Sequence, residues 1–474
     1  MKHLILPILL LTLASLSFAP SVVAAPLRVD LIVEGDYLVL MDSDNRVLRS
    51  GAVAVNNGEI VAVDKQDAIH ERYIARQTVA GKDRILMPGL VNGHSHMAMT
   101  LLRGLADDLD LMTWLNDFIF PAEVAFVDKA FVRTGTELAC WEMLLGGTTT
   151  VVDMYYFPDT VAEVVDQCGI RGIVAATVIG QESPDAKTPE QGLRQARQFI
   201  QRWQEKSPRV IPALGPHAIY TTPPALLLDV KAAALELSVP VSMHIAESES
   251  EIEFARGQYE QSTITLLEDI GFLDPAMTLI GAHVVWPSEA EIGRLAHFGV
   301  GTVHNPTSNM KITAGVSPVE ALQAAGVKVG LGTDGAASNN DLDMWEEMRI
   351  ATLLQKITRQ DATALPAQSV LRMATIDGAA AIGLDEQIGS IQVGKRADLI
   401  QVDISGPHMQ PLYDVVSHLV YVADSQDIVT VIVDGDPVVE DGVLTTLDIP
   451  ALMRRISEFQ ARIRSNILEP KTSQ

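Results

Sequence analysis

Histidines and carboxylates recur in this chain at spacings that suit a metal ion. His94 and His96 lie two residues apart, and in extended backbone such residues point to the same side, so both imidazoles can reach one ion. His244 and Asp334 each lie near the C-terminal end of another apolar segment. Three imidazoles and one carboxylate suit a single divalent cation, most readily Zn²⁺, with Fe²⁺ and Mn²⁺ as alternatives.

Two more polar residues belong to this candidate site. Glu247 follows His244 by three residues and is near enough to accept a proton from a water that the cation activates. The alternative for Glu247 is a solvated helix start, because the acidic run SESEIE follows it. His283 ends another apolar segment, where it can hydrogen-bond the attacking water, and a packed core histidine is the alternative. Because a bound cation lowers the pKa of water, hydrolysis is the predicted chemistry.

These residues need a scaffold that brings distant parts of the chain together. Eight apolar segments, each followed by helix-compatible sequence, are ILMPGLVNGHSH, TTTVVDMYY, GIVAATVIG, VIPALGPHA, VPVSMHIAE, TLIGAHVVW, GTVHNPTSN and VKVGLGTDG. Apolar strands that alternate with helices predict a parallel sheet, and eight repeats close a (β/α)₈ TIM barrel. A barrel gathers the polar C-terminal ends of its strands in one mouth, whereas the alternative, an open doubly wound sheet, would spread them along a line.

The two ends of the chain differ from its middle. Residues 28–66 and the segment after residue 387 contain short strands of period two with Gly and Asn turns. We predict that both ends form one small β-sandwich domain, with residues 26–87 and 387–445 as its two parts. The hydrolase barrel then spans residues 88–386, and residues 446–474 form a C-terminal helix and tail.

The first 25 residues have the pattern of a cleavable secretory signal peptide. Lys2 precedes an apolar run from Leu4 to Phe18, and small residues follow at 23–25. We expect a mature start near Pro26 and a secreted or periplasmic protein, with a membrane anchor as the alternative. No later segment has the roughly 20 unbroken apolar residues of a membrane span, so we expect no membrane insertion after cleavage.

Composition narrows the function classes. The 474 residues are 47% hydrophobic and 20% charged, as in folded globular proteins. A net charge of −25 repels phosphate backbones, so a polymeric nucleic acid is not an expected partner. Cys140 and Cys168 both fall in apolar helical patterns, and we expect inert buried thiols rather than a disulfide.

Several longer passages make the chain resemble the amidohydrolase superfamily. Within it, the chain is most similar to the 5-methylthioadenosine/S-adenosylhomocysteine deaminases and related chlorohydrolases, over nearly all of residues 28–445. The passages are PGLVNGHSHMAMTLLRGLADDLDLMTWLNDFIFPAE, GPHAIYTTP, HIAESESE, VHNPTSNMKITAG and GTDGAASNNDLDMWEEMR. The resemblance implies that one metal ion is bound by His94, His96, His244 and Asp334. It also implies that Glu247 shuttles protons, that His283 orients the attacking water and that Asp334 helps to protonate the leaving amine.

The resemblance also implies a set of substrate contacts. Glu123 corresponds to a residue that binds the ribose hydroxyls, Trp114 lies against the nucleoside, and His217 and Ser338 contact the far end of the substrate. One carboxylate can accept from two vicinal hydroxyls, although a helix-start charge is the alternative for Glu123 and core packing is the alternative for Trp114. Glu247 and Asn305, which ends the seventh apolar segment, complete the candidate substrate contacts.

We therefore predict metal-dependent hydrolytic deamination of 5′-methylthioadenosine, S-adenosylhomocysteine or adenosine to the inosine-type product and ammonia. The segment GIVAATVIG ends without the arginine that some members of the branch use for the S-adenosylhomocysteine carboxylate, which favours an uncharged 5′ group. The alternative is another amino- or chloro-substituted heterocycle such as guanine, a pterin or a triazine. A further alternative is a binding protein that has lost catalytic turnover. For the oligomeric state, the resemblance favours a homo-oligomer.

Overall fold

The computed structural model describes residues 25–468, so the predicted signal segment lies, apart from Ala25, outside the described residues. The strands are β1 (Leu27–Val39), β2 (Val47–Asn56), β3 (Glu59–Lys65), β4 (Tyr73–Val79), β5 (Arg84–Pro88), β6 (Leu90–Ser95), β7 (Thr148–Tyr155), β8 (Arg171–Val178), β9 (Val210–Pro216), β10 (Val241–Ile245), β11 (Leu279–His283), β12 (Gly301–His304), β13 (Val329–Leu331), β14 (Leu399–Asp403), β15 (Ile428–Val433), β16 (Asp436–Glu440) and β17 (Val443–Leu444).

The helices mostly follow the strands of the middle region. They are α1 (Gln66–Arg72), α2 (Leu111–Thr113), α3 (Phe120–Phe126), α4 (Lys129–Leu145), α5 (Pro158–Cys168), α6 (Pro189–Trp203), α7 (Pro224–Leu237), α8 (Glu249–Tyr259), α9 (Thr263–Asp269), α10 (Glu289–Phe298), α11 (Pro306–Lys311), α12 (Val319–Ala324), α13 (Met344–Arg359), α14 (Ala367–Met373), α15 (Ile376–Ala381), α16 (Val415–Tyr421) and α17 (Ile449–Ile463). A π-helical turn at Trp114–Ile119 joins α2 to α3. Within residues 25–468, no helix has the length and apolar character needed to cross a membrane.

Strands β6 to β13 form the predicted barrel. They pair in sequence order, and every neighbouring pair is parallel. The first and last strands also meet, because the backbone N–H of Asp334 donates to the carbonyl of His94 at 3.0 Å. The side-chain oxygen of Asn92 accepts from the backbone N–H of Thr333 at 3.1 Å. The eight apolar segments thus supply eight strands of a nearly closed barrel, and the fold prediction is confirmed.

The two ends of the chain form one β domain, as predicted. Its nine strands are joined by hydrogen bonds into a single mixed sheet, in which β5 pairs with β14 and so connects the N-terminal and C-terminal parts. Our first apolar segment is split between the two domains, because β5 belongs to this sheet and β6 to the barrel. Gly89 lies at the split, where a Cβ atom would come within 2.1 Å of the Thr149 hydroxyl, so only glycine fits.

A buried ion pair links the two domains. Arg171 begins β8, is 2% exposed, and donates to both carboxylate oxygens of Asp398 at 2.8 and 3.0 Å. It also lies 3.4 Å from the carboxylate of Asp434, which follows β15 in the end sheet. Because an unpaired buried charge is costly, these contacts hold the end sheet against the barrel.

Candidate active site

The four predicted metal ligands lie together at the C-terminal mouth of the barrel. The Nε2 atom of His96 is 3.2 Å from Nε2 of His244 and 3.3 Å from Oδ1 of Asp334. The Nε2 atom of His94 is 3.4 Å from the same Asp334 oxygen. Ligand atoms bound to one tetrahedral zinc at about 2.0–2.1 Å lie roughly 3.4 Å apart. The observed distances therefore fit one cation among the four side chains.

Backbone carbonyls fix which nitrogen of two histidines faces the site. The Nδ1 atom of His96 is 2.6 Å from the carbonyl oxygen of Met154, and Nδ1 of His244 is 2.8 Å from that of His217. A carbonyl oxygen only accepts, so each Nδ1 carries a hydrogen, and each ring in its neutral form presents a lone pair on Nε2. Two lone pairs 3.2 Å apart repel unless a proton or a cation lies between them.

Other polar atoms of this cluster have no hydrogen-bond partner. Both ring nitrogens of His94 and the Oδ1 atom of Asp334 are buried without one, and a bound cation would give a partner to Nε2 of His94 and to that oxygen. The other Asp334 oxygen accepts from the hydroxyls of Ser308 at 2.7 Å and Ser338 at 2.9 Å, which turns Oδ1 towards the histidines. Burial lowers the pKa of His94 to about 4, and a neutral ring is the form that binds a metal.

His283 and Glu247 lie beside the predicted ligands. The nearest ligand atoms of His283, His94, His244 and Asp334 all lie within 4.8 Å of one another. Nδ1 of His283 donates to the side-chain oxygen of Asn309 at 2.8 Å, which leaves Nε2 as a buried acceptor without a partner. That Nε2 is 3.7 Å from the Glu247 carboxylate. His283 is therefore placed to contact either the cation or a water molecule between the cation and Glu247.

The acidic run after Glu247 includes a buried glutamate, Glu251, and is therefore not only a solvated helix start. Glu251 is 2% exposed, and its carboxylate accepts from the backbone N–H groups of Ala246 at 3.1 Å and Glu247 at 2.8 Å. It also accepts from the hydroxyl of Thr263 at 2.8 Å. Glu251 thereby holds the backbone that carries Glu247. The pattern Ser248-x-x-Glu251 at the start of α8 resembles a capping box and could have indicated this residue.

Left-handed backbone aims several strand ends into the site. Positive φ angles occur at Ala246 (51°), directly after β10, at His283 (70°), the last residue of β11, and at Asp334 (63°), three residues after β13. Such conformations cost non-glycine residues about 1–3 kcal/mol each and persist where the surrounding structure imposes them, often at functional sites. Two of these positions, His283 and Asp334, are predicted site residues, and the third, Ala246, directly precedes Glu247.

One cavity opens over the cluster. It encloses about 570 Å³ of space between atoms, including open solvent at its mouth. Its lining residues are His96, Met99, Leu111, Trp114, Leu115, Ile119, Phe120, Glu123, Met154, Tyr155, Tyr156, Thr177, His217, Tyr220, His244, Glu247 and Asp334. Predicted metal, proton-transfer and substrate residues thus share one cavity.

Glu123 is held in the cavity wall by Tyr155, which was not among the predicted site residues. The carboxylate is 5% exposed and accepts from the Tyr155 hydroxyl at 2.7 Å. Burial raises the pKa of Glu123 to about 7, and the Tyr155 hydrogen bond opposes that rise. Tyr155 ends β7, inside the segment TTTVVDMYY, so its place at a strand end was the available signal.

Two predicted substrate residues do not line the cavity. Ser338 is buried against Asp334, to which its hydroxyl donates, and so orients that carboxylate. Asn305 is fully buried before α11, and neither of its side-chain polar atoms has a hydrogen-bond partner. Ser308 and Asn309, which orient Asp334 and His283, were not predicted, although both belong to the passage VHNPTSNMKITAG.

Comparison with known proteins gives consistent relatives. Residues 85–438 match the model of the Amidohydrolase family. A 5-methylthioadenosine/S-adenosylhomocysteine deaminase of Syntrophobacter fumaroxidans is 43% identical over 437 residues, 92% of this chain and 99% of the relative. A 5′-deoxyadenosine deaminase of Methanosarcina mazei is 39% identical over 441 residues, 92% of this chain and 100% of the relative. The zinc-bound crystal structure of an adenosine deaminase from Xanthomonas campestris has a TM-score of 0.90 and 42% identity, covering 93% of this chain and 100% of that one.

Proposed function

This chain belongs to the amidohydrolase family, and we propose that it removes the amino group of an adenosine-type nucleoside by hydrolysis. The observation that carries the proposal is the single cavity lined by His96, His244 and Asp334 together with Glu123 and Trp114. A metal cluster alone would suit many hydrolases, whereas a buried carboxylate and an indole in the same cavity suit a ribose and a base. The relatives are named as deaminases of 5-methylthioadenosine and S-adenosylhomocysteine, of 5′-deoxyadenosine and of adenosine, and these names support this substrate class.

His94, His96, His244 and Asp334 hold one divalent cation in this proposal, with zinc as the first candidate. The three facing nitrogens and the unpaired Asp334 oxygen supply the donor set that zinc prefers. The cation, when bound, supplies the Lewis acidity that makes water nucleophilic near neutral pH.

The remaining chemistry falls to the side chains around the cation. Glu247 accepts a proton from the water that attacks C6 of the purine and gives it to the ring nitrogen N1. His283 accepts a hydrogen bond from that water through Nε2, because its Nδ1 hydrogen is committed to Asn309. Asp334 helps to pass the next proton to the departing amine. The net reaction consumes one water and releases ammonia and the inosine-type product.

The cavity favours an uncharged group at the 5′ position. Among residues 25–468, no lysine or arginine lines it, and Glu123, Glu247 and Asp334 contribute negative charge. Its apolar wall is formed by Leu111, Leu115, Ile119 and Phe120. The carboxylate of S-adenosylhomocysteine would find no cationic side chain there, whereas a methylthio group would meet apolar surface. We therefore propose 5′-methylthioadenosine and adenosine as better substrates than S-adenosylhomocysteine.

Ammonia release from a substrate panel tests the proposal. The purified, zinc-loaded protein is assayed with adenosine, 5′-methylthioadenosine, S-adenosylhomocysteine, guanine and a chlorotriazine, beside the variant Glu123→Ala. We expect turnover of the nucleosides, and a strong loss of that turnover in the variant. Turnover of guanine or the triazine alone, unaffected by Glu123→Ala, would contradict the nucleoside assignment and leave the metal centre in place.

We also propose that the protein is exported and that its first 25 residues are removed. The support is the charge, the apolar run and the small-residue exit of that segment. N-terminal sequencing of the protein recovered from the culture medium or periplasm would give Pro26 or a close neighbour as the first residue. An intact Met1 on cell-retained protein would contradict export. Light scattering would test the predicted homo-oligomer.

A further inference from the structure

Two buried sulfur atoms lie unusually close together beside the barrel. Cys140 is on α4 and Cys168 is the last residue of α5, and both side chains are 0% exposed. Their Sγ atoms are 2.6 Å apart. Carbon atoms, which are smaller than sulfur, make their best non-bonded contacts at about 3.5–4.0 Å, and a disulfide bond measures about 2.03–2.05 Å. The separation is thus nearer to a bond than to a contact.

We infer that Cys140 and Cys168 form a disulfide when this protein folds in an oxidising compartment. This reverses the expectation of two inert thiols that their apolar helical patterns suggested. The two sulfurs need to approach by only about half an ångström to reach bonding distance. The inference does not depend on the proposed deaminase activity.

The surroundings favour the bond over two separate thiols. Both cysteines belong to the main hydrophobic core, where a disulfide has no polar hydrogen to satisfy. The Cys168 thiol also contacts the carbonyl oxygen of Val165 at 3.5 Å, which is a long contact for a weak donor. Burial raises the pKa of the Cys140 thiol, so thiolate chemistry is slow after folding is complete. The bond therefore forms while α4 and α5 are still packing.

The oxidation needs a partner of the disulfide class, such as oxidised glutathione or a protein disulfide. One cysteine thiolate attacks that disulfide, forming a mixed disulfide and releasing one thiol. The second cysteine then attacks the mixed disulfide, forming the Cys140–Cys168 bond and releasing the second thiol. Two protons and two electrons pass from the cysteines to the oxidant, which is reduced to two thiols.

The bond would close a loop around a strand that supports the active site. Residues 140–168 include all of β7, which provides the carbonyl of Met154 for His96 and the hydroxyl of Tyr155 for Glu123. Closing a loop of this length restricts the unfolded chain. With the entropy of unfolding of a chain of this size, the apparent Tm should rise by about 4 °C.

Thiol counting tests the bond directly. The purified protein is incubated with oxidised glutathione at a urea concentration just below its unfolding transition, then denatured and treated with iodoacetamide. We expect no alkylated cysteine before reduction, two after reduction, and a cross-linked peptide pair that contains Cys140 and Cys168. Two alkylated thiols or two glutathione adducts would overturn the inference.

Matched variants separate the bond from other effects of oxidation. Cys140→Ser and Cys168→Ser each retain one cysteine, so each should give a free thiol or one glutathione adduct. The double variant should show the same apparent Tm with and without oxidant, whereas the oxidised parent should melt about 4 °C above its reduced form. An oxidised parent that melts no higher than the reduced one would contradict the stabilising role.

Discussion

Glu123 gives the proposed enzyme a binding group that titrates near neutral pH. Its pKa is about 7 because burial disfavours the ion, and the Tyr155 hydroxyl at 2.7 Å is the donor that stabilises the ion. In the proposed binding mode, both ribose hydroxyls donate to the ionised carboxylate. Binding of adenosine should therefore be strong above pH 7, and KM should rise as the pH falls through 7 and the carboxyl takes up a proton.

Tyr155→Phe should move this transition to higher pH. A hydrogen bond to a charged group contributes roughly 1.5–3 kcal/mol, and its loss disfavours only the ionised form. One pKa unit corresponds to about 1.36 kcal/mol, so the pKa of Glu123 should rise by about 1–2 units. At pH 7 the ionised fraction then falls from about one half to roughly 1–10%, and KM should increase by about 5–50-fold.

The assay measures KM and kcat for both proteins from pH 6 to pH 9.5. Adenosine is compared with 2′,3′-dideoxyadenosine, which lacks both hydroxyls and serves as the matched control substrate. We expect the shifted profile with adenosine and a flat KM with the dideoxy substrate. An unshifted adenosine profile, or the same shift with both substrates, would refute the assignment of Glu123 to the ribose.

Other changes test the proton shuttle, its support and the domain interface. Glu247→Gln should reduce kcat by about 10²–10⁴-fold with bound metal unchanged by elemental analysis, and a variant that retains full kcat would exclude the shuttle role. Glu251→Gln should lower kcat more than it changes KM, because the variant loses the carboxylate that accepts from the backbone N–H groups of Ala246 and Glu247. A variant with the kcat of the parent protein would contradict this role. Asp398→Ala should lower the free energy of unfolding by roughly 3–5 kcal/mol in urea titrations, since Arg171 is left buried beside it. Glu163→Ala, which breaks an exposed pair, is the control and should cost under about 1 kcal/mol.

Much of the fold could be predicted because it depends on a repeated local signal. Each barrel strand is a short apolar run with a helix after it, and even β13, only three residues long, lies inside such a run. The exact position of the split, at Gly89, depends on tertiary contacts, because β5 and β6 form one continuous apolar segment. Only the close approach of Thr149, which belongs to a strand far along the chain, distinguishes them.

Site residues could be predicted where the residue type itself indicates the chemistry. They were harder to predict where a residue acts by holding another side chain or the backbone in place. His96, His244 and Asp334 combine a metal-binding side chain with a strand end, so their type and place indicated them. Glu251 looked solvated because its neighbours are acidic, and only the folded loop shows that its carboxylate faces backbone N–H groups. Tyr155 supports a residue 32 positions away, a pairing that no local pattern encodes.

Deamination measured together with bound metal shows whether nucleoside turnover depends on the proposed cation. The protein is stripped with a chelator, dialysed and titrated with zinc, while conversion of adenosine to inosine is followed in the same samples. Activity should disappear with the metal and return in proportion to zinc, up to one ion per chain. Deamination that continues in metal-free protein, or a fully metallated protein that converts no nucleoside, would contradict it.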